Sequence, residues 1–398
     1  MQSWVGLCAT SFFLAEMHGV TMPFVNAYLI DQGWRYDAIG TVAALTGLVS
    51  LLMNSPSGLL VDHVHHRQAL MAGGAILIGC CFGLFPLVPA SYVWIGTLLV
   101  AAAVVNPLFG PLNSALTLGL VGHNRLSRAL GITQGWDHAG NILAALTAMA
   151  LVRFYPVTSI FYSVAVASAL SACAALLIRT SELNDRRAGG LSVAKNSPSA
   201  VRFRDLLRDW RIGVLLVSAA LFHLANAPAM PLVAQKIQSI GGSSDQLAGV
   251  VLAAQAVMIP VALLAGWLGD SWGRKPVFAI GFIVLPIRIA LYALSDDPGM
   301  LVALQTLDGV GAGIFGVTAM SMCADLTKGR GHFNALVGVL ATAGGLGGVV
   351  GPLAGGLIVQ HLGFDAAFYA FAGVAVAAAV LFVGWMPETQ TRPSVISH

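Results

Sequence analysis

Seven ionisable side chains stand in the middle of long apolar stretches of this 398-residue chain: Glu16, His18, Asp137, His138, His223, Arg288 and Asp308. A charge held in hydrocarbon costs about 3 kcal/mol, so such groups persist mainly where they have work to do. The densest group is Gln134, Asp137, His138 and Asn141, spaced i, i+3, i+4 and i+7, which puts all four on one face of a helix. A polar stripe of this kind lines water or a ligand. A carboxyl kept among apolar groups holds its proton more tightly than in water and can load and release it near neutral pH. Reversible protonation and hydrogen bonding are thus the chemistry these residues suit. Bond cleavage would need paired aspartates, a Ser and His pair or a zinc motif set together; no His-Glu-x-x-His occurs, and no catalytic residue is expected.

Asp137 lies nine residues beyond Arg128, about 13 Å deep at the rise of a helix, and Glu16 reaches similar depth in the first apolar stretch. These two acids are the expected proton carriers, with His138 modulating them. Asp308 is either a further carrier or the partner of Arg288 in a salt bridge. Candidate substrate contacts are His18, Asn106, Gln134, Trp136, Asn141, His223 and Asn226. Trp136 offers an aromatic wall, or packs against lipid or a neighbouring helix. His223 stands three residues before Asn226 and shares its face.

The elements that must position these residues are membrane spans. Hydrophobic residues make up 57% of the chain and charged ones 9%, with a mean hydropathy of +0.81; a soluble domain carries about 25% charged residues. A span needs about 20 apolar residues. Twelve stretches qualify, near 4–30, 38–61, 68–88, 91–121, 128–152, 156–178, 211–235, 247–268, 276–294, 300–324, 333–361 and 366–386. Sixteen Lys and Arg fall on one side of this topology and three (Arg35, Arg153 and Lys236) on the other, which predicts cytoplasmic termini in a multi-pass protein of the plasma membrane, the inner membrane if bacterial. The first stretch lacks a basic leader and a small-residue cleavage site, so it is read as the first span. The net charge of +3 belongs to the cytoplasmic loops and implies no nucleic acid partner. All five cysteines lie in apolar spans without metal-ligand spacing and are expected to be buried free thiols. Arg202 to Arg211 spaces as a short amphipathic helix on the membrane surface, or as a charged tether.

The chain also repeats itself. Met22-Pro23, Asp37, Gly58 and Asp62 return as Met230-Pro231, Asp245, Gly266 and Asp270, all at an offset of 208, and His18 maps onto Asn226. Repeated bundles rocking about a central site are a common build of secondary transporters. Within the repeat, Gly266-Trp-Leu-Gly-Asp270-Ser-Trp-Gly273-Arg274-Lys275 resembles the signature loop of the major facilitator superfamily. Its first copy, Gly58-Leu-Leu-Val-Asp62-His63-Val-His65-His66-Arg67, keeps the Gly and Asp but has histidines at basic positions. In such a loop the Gly lets helices approach, and the Asp accepts hydrogen bonds from the first amides of another helix. The resemblance implies that Gly58, Asp62, Arg67, Gly266, Asp270, Arg274 and Lys275 form a cytoplasmic gate.

The same resemblance implies an all-α fold of twelve transmembrane helices in two pseudo-symmetric six-helix bundles, 1–180 and 211–398, joined by a cytoplasmic linker at 181–210. It implies alternating access by a monomer, without metal or cofactor, acting on a small-molecule substrate and protons in the lipid bilayer. The acid in the first helix is similar to one in the drug:proton antiporter branch, which points to proton-coupled efflux of a small amphipathic or organic compound. The Gly347–Gly356 run looks like the Gly-Pro motif of that branch but lies in span 11 rather than span 5, and span 4 lacks the branch's Arg. The alternative is proton-coupled uptake of a small polar solute.

Overall fold

The computed structural model describes residues 2–18, 21–191 and 201–390, and no strand occurs among them. Twelve helical segments follow in order. α1 is in two pieces, Gln2–His18 and Thr21–Asp31; α2 is Tyr36–His63 and α3 Arg67–Gly83. α4 runs from Tyr92–Val105 through a 3-10 turn, Asn106–Leu108, into Phe109–Val121. α5 is Leu126–Phe154, α6 Thr158–Leu176, α7 Trp210–Ser239, α8 Ser244–Ser271, α9 Arg274–Ala293 and α10 Pro298–Thr327. α11 and α12 share Phe333–Trp385 and part at Gly363, whose φ of 85° and ψ of 175° suit only glycine.

Among the described residues eight helices are long and apolar enough to cross a membrane, and the shared α11–α12 stretch counts once among them. The other three spans have physical reasons to fall short. α1 is in two pieces, α3 has 17 residues, and α5 carries the polar stripe. Local sequence sets several ends. Pro107 has no N–H to give, so α4 tightens into its 3-10 turn there. Asp297 caps α10 ahead of Pro298, and Ser243 with Gln246 forms a capping box on α8.

Two compact units emerge. The first comprises Met1–Leu120, Ile132–Gly189 and Asn334–Thr342; the second comprises Val121–Gly131, Gly190–Phe333 and Ala343–His398. The start of α5 thus groups with the second unit and a short piece of α11 with the first, a division the sequence did not predict. Glycine crossings explain it. A Cβ on Gly266 would lie 2.6 Å from the Ser127 carbonyl and 3.1 Å from the Gly131 Cα, and one on Gly58 would meet the Asn334 backbone. Only glycine permits backbones this close.

The core of the first unit centres on Tyr28, Phe82, Phe85 and Phe161, with the Tyr28 hydroxyl donating to the Phe85 carbonyl at 3.3 Å. That of the second stacks Phe222, Phe278, Phe282, Phe315 and Phe382. At the far end of α7, the buried Lys236 ammonium donates to the Tyr292 carbonyl at 3.1 Å and pairs with Asp296 and Asp365 at 3.0 Å each, tying α7, the α9–α10 loop and α12.

Two expectations change. The amphipathic helix read over Arg202–Arg211 is a single turn, Phe203–Leu206, because Asp209 caps α7 and the chain must turn before it. Cys80 and Cys173 are exposed on the outside of their helices, whereas Cys8, Cys81 and Cys323 are buried; all five are free.

Candidate functional site

The α5 stripe forms one half-buried face. The Asn141 amide donates to Asp137 Oδ2 at 3.3 Å and is the only hydrogen-bond partner of that acid among the described residues. Gln134 and His138 flank it on the same face. One turn on, Gly140 lets α5 cross α1 in contact: a Cβ there would lie 3.0 Å from Ala15 Cβ and against the Phe12 carbonyl. That crossing brings the helix of Asp137 against the helix of Glu16. Glu16 is half-buried and makes no hydrogen bond or ion pair among the described residues. Both acids therefore sit in their spans without a cation.

Other candidates in the first unit separate into two places. Trp136 is 48% exposed and meets Phe12 edge-on at 6.1 Å, lining an apolar cavity of about 440 Å³ with Trp4, Cys8 and Phe13. Asn106 instead lines a cavity of about 450 Å³ among α1, α2, α3 and α4, together with Asn26, Thr46 and Ser50. Asn113 accepts from the Ser11 hydroxyl at 3.2 Å and ties α4 to α1. The His18 side chain lies outside the described residues.

In the second unit, His223 Nδ1 lies 3.0 Å from the Ala219 carbonyl, and its ring packs edge-on to Phe315 at 4.7 Å. Gly344 makes room for it, since a Cβ there would be 3.2 Å from the ring. The Gly-rich run continues as a packing surface, with Gly347 and Gly351 against the α7 backbone at Ala220 and Leu224. Arg288 reaches from α9 to donate to both Asp308 on α10 and Asn226 on α7. With 2% and 8% of their side chains exposed, Arg288 and Asp308 are a buried ion pair. Asp308 thus differs from Glu16 and Asp137 in having a cation at hand.

In the first signature loop, Asp62 accepts from the Asn334 backbone N–H at 3.2 Å, the Ala335 N–H at 2.8 Å and the Asn334 side-chain amide at 2.9 Å, all at the start of α11. Arg67 is buried and donates to Asp185 at 2.8 Å and to the Val61 carbonyl at 3.1 Å. In the second copy, Asp270 accepts from the Arg128 N–H at 3.2 Å and from Arg274 at 2.8 Å. Arg274 also donates to Asp325 at 3.1 Å, while the backbone N–H groups of Arg274 and Lys275 donate to Glu388 at 3.0 and 3.1 Å. Helix N-termini favour such carboxylates through their unpaired amides and dipole. His63 Nδ1 lies 2.7 Å from the Leu59 carbonyl.

Asn26, Asp185, Asp325, Asn334 and Glu388 were missed from sequence. Asp185 and Glu388 carried a usable signal, since each is an acid just after the last span of its half, beside the expected basic loop. Asn26 and Asn334 carried none, because nothing local marks an asparagine that faces a cavity or a distant carboxylate.

Comparison with known proteins agrees with the fold. An uncharacterized MFS-type transporter of Mycobacterium tuberculosis (strain H37Rv) is 35% identical over 384 residues, covering 95% of this chain and 92% of that protein. The tetracenomycin C resistance and export protein of Streptomyces glaucescens is 27% identical over 213 residues, covering 54% of this chain and 38% of that one. Among solved structures, the proton:xylose symporter XylE bound to 6-bromo-6-deoxy-D-glucose superposes with a TM-score of 0.73 at 14% identity, covering 98% of this chain and 95% of that one. The family profile described as Major Facilitator Superfamily matches residues 7–227 and again 215–398. Twelve spans, a doubled signature loop and these matches make the chain a membrane transporter that belongs to the Major Facilitator Superfamily.

Proposed function

We propose that this transporter exports a small amphipathic organic compound in exchange for protons by alternating access, with 1–180 and 211–398 as the moving halves. The observation that carries the coupling is the contrast among its span acids. Asp308 has Arg288 bonded to it, whereas Asp137 has only the Asn141 amide and Glu16 has no partner among the described residues. An acid without a counter-charge in a span is the one free to take and give a proton. Glu16 and Asp137 are therefore assigned as carriers, His138 as their modulator and Asp308 as the structural partner of Arg288. Asp62 and Asp270 fasten the cytoplasmic gate through the helix-terminal amides they hold. Export is favoured by the similarity to an antibiotic resistance and export protein and by the largely apolar walls of both cavities.

The test is proton discharge. Everted vesicles energised by a respiratory substrate are exposed to a panel of organic compounds, and the inside-acid gradient is followed for wild type, Asp137→Asn and Glu16→Gln. A compound that dissipates the gradient only through wild type supports antiport. If none does so while labelled polar solutes enter whole cells with protons, the protein is a symporter. The amides and hydroxyls of Asn26, Thr46, Ser50 and Asn106 in one cavity favour that second reading.

A further inference from the structure

The geometry points to an uncharged substrate, recognised through the side-chain amides of Asn26 and Asn106 in the cavity of the first unit and kept apart from the proton carriers. The inference rests on the transport reading and adds to it the chemical class of the solute. The cavity, about 450 Å³, lies midway along α2 and beside the first half of α4 and falls within the usual range of ligand sites, about 300–1,000 Å³. Among the described residues its lining contains no Asp, Glu, Lys, Arg or His. A charged solute entering it would give up water and find no counter-charge, a loss that excludes charged compounds more firmly than size does.

The four polar residues in the lining divide by what they still offer. Thr46 donates its hydroxyl to the Val42 and Ala43 carbonyls at 3.0 Å, and Ser50 donates to the Ala103 carbonyl at 3.1 Å. Their donors are thus engaged with backbone. The side-chain amides of Asn26 and Asn106 have no hydrogen-bond partner among the described residues. Each offers a carbonyl acceptor and an NH2 donor. Two free amides above walls such as Phe82 and Leu99 match a solute with an apolar body and a carboxamide, imide or hydroxy-ketone edge.

Neither Glu16 nor any residue of α5 lines this cavity. Solute and proton would therefore occupy different places, with α1 carrying Glu16 in its first piece and Asn26 in its second. Coupling then runs along α1, and a neutral solute needs no direct ion pair with the proton carrier.

Three probes with one aromatic core separate charge from size: naphthalene-2-carboxamide (uncharged), naphthalene-2-carboxylate (anion) and 2-(aminomethyl)naphthalene (cation). Their binding to the purified full-length protein is measured by calorimetry. The carboxamide is expected to bind at least tenfold more tightly than either ion. Asn26→Leu and Asn106→Leu should each weaken the carboxamide about tenfold, the scale of one lost hydrogen-bonding group, without changing the ions. Thermal unfolding of each variant confirms that it folds, and Asn113→Leu, a polar α4 position outside the lining, serves as control. An ion that binds as well as the carboxamide overturns the proposal, as does absence of carboxamide binding, or retention of its preference in both variants. Carboxamide binding without proton discharge in vesicles would refute the transport reading and uphold the cavity assignment. Discharge by an ion, with no carboxamide binding, would do the reverse.

Discussion

Removing Arg288 while leaving Asp308 in place should destabilise the protein far more than removing both. Arg288→Met takes the bonded cation from a carboxylate whose side chain is 8% exposed, and it also strips Asn226 of a donor. Water cannot replace the guanidinium at that burial. Breaking a buried pair on one side costs about 3–5 kcal/mol, whereas replacing both partners by apolar groups is often neutral or stabilising. The unpaired Asn226 amide adds about 1 kcal/mol in either case. Arg288→Met is thus expected to lose about 4–6 kcal/mol, and Arg288→Met/Asp308→Leu to fall within about 2 kcal/mol of wild type. Denaturant unfolding of purified protein in mixed micelles, with both variants in one detergent, reads the difference. A double variant no more stable than Arg288→Met would refute the reasoning, as would a single variant costing less than about 1 kcal/mol.

If Asp308 is structural, the same double variant retains compound-driven proton discharge in everted vesicles, and abolition of discharge would return Asp308 to the coupling site. Asp62→Ala removes three hydrogen bonds from the start of α11; amide exchange at Asn334 and Ala335 should rise about 10- to 100-fold, for charge-assisted bonds of about 1.5–3 kcal/mol, and unchanged protection would deny Asp62 its fastening role. Hydrogen bonds from Arg211 foremost, with Arg330 adding to them, hold the Asp209 carboxyl well below the usual carboxylate range against the opposing effect of burial. A depressed folded-state pKa gives stability that is fully present above the unfolded value, about 3.9, and lost as pH falls through the folded one. Asp209→Asn should accordingly destabilise at pH 7 but lose most of its effect near pH 2; a penalty that stays constant from pH 7 to 2 would contradict the pairing. Between pH 5 and 8 Asp209 contributes no pH dependence, so any change of transport rate in that window arises elsewhere.

Much of the architecture could be read from the chain because membrane physics is local. A span announces itself by its own apolar length, and a shared helical face by spacing, as with Gln134, Asp137, His138 and Asn141. Repeated spacing at 208 likewise disclosed both signature loops without any knowledge of contacts. Relations between distant residues needed the tertiary structure. No pattern in the sequence says that Asp62 reaches Asn334, and the acids at Asp185 and Glu388, though placed beside the basic loops, do not name the groups they bind. Packing also decided the partners of chemically similar groups. Sequence left Asp308 open between a further proton carrier and the partner of Arg288, and the structure shows the pair bonded. Asn106 and Trp136 were both candidate substrate contacts in the sequence, yet they line separate cavities. Burial and partner choice arise from how helices cross, and those crossings depend on shapes summed over many residues rather than on any local run.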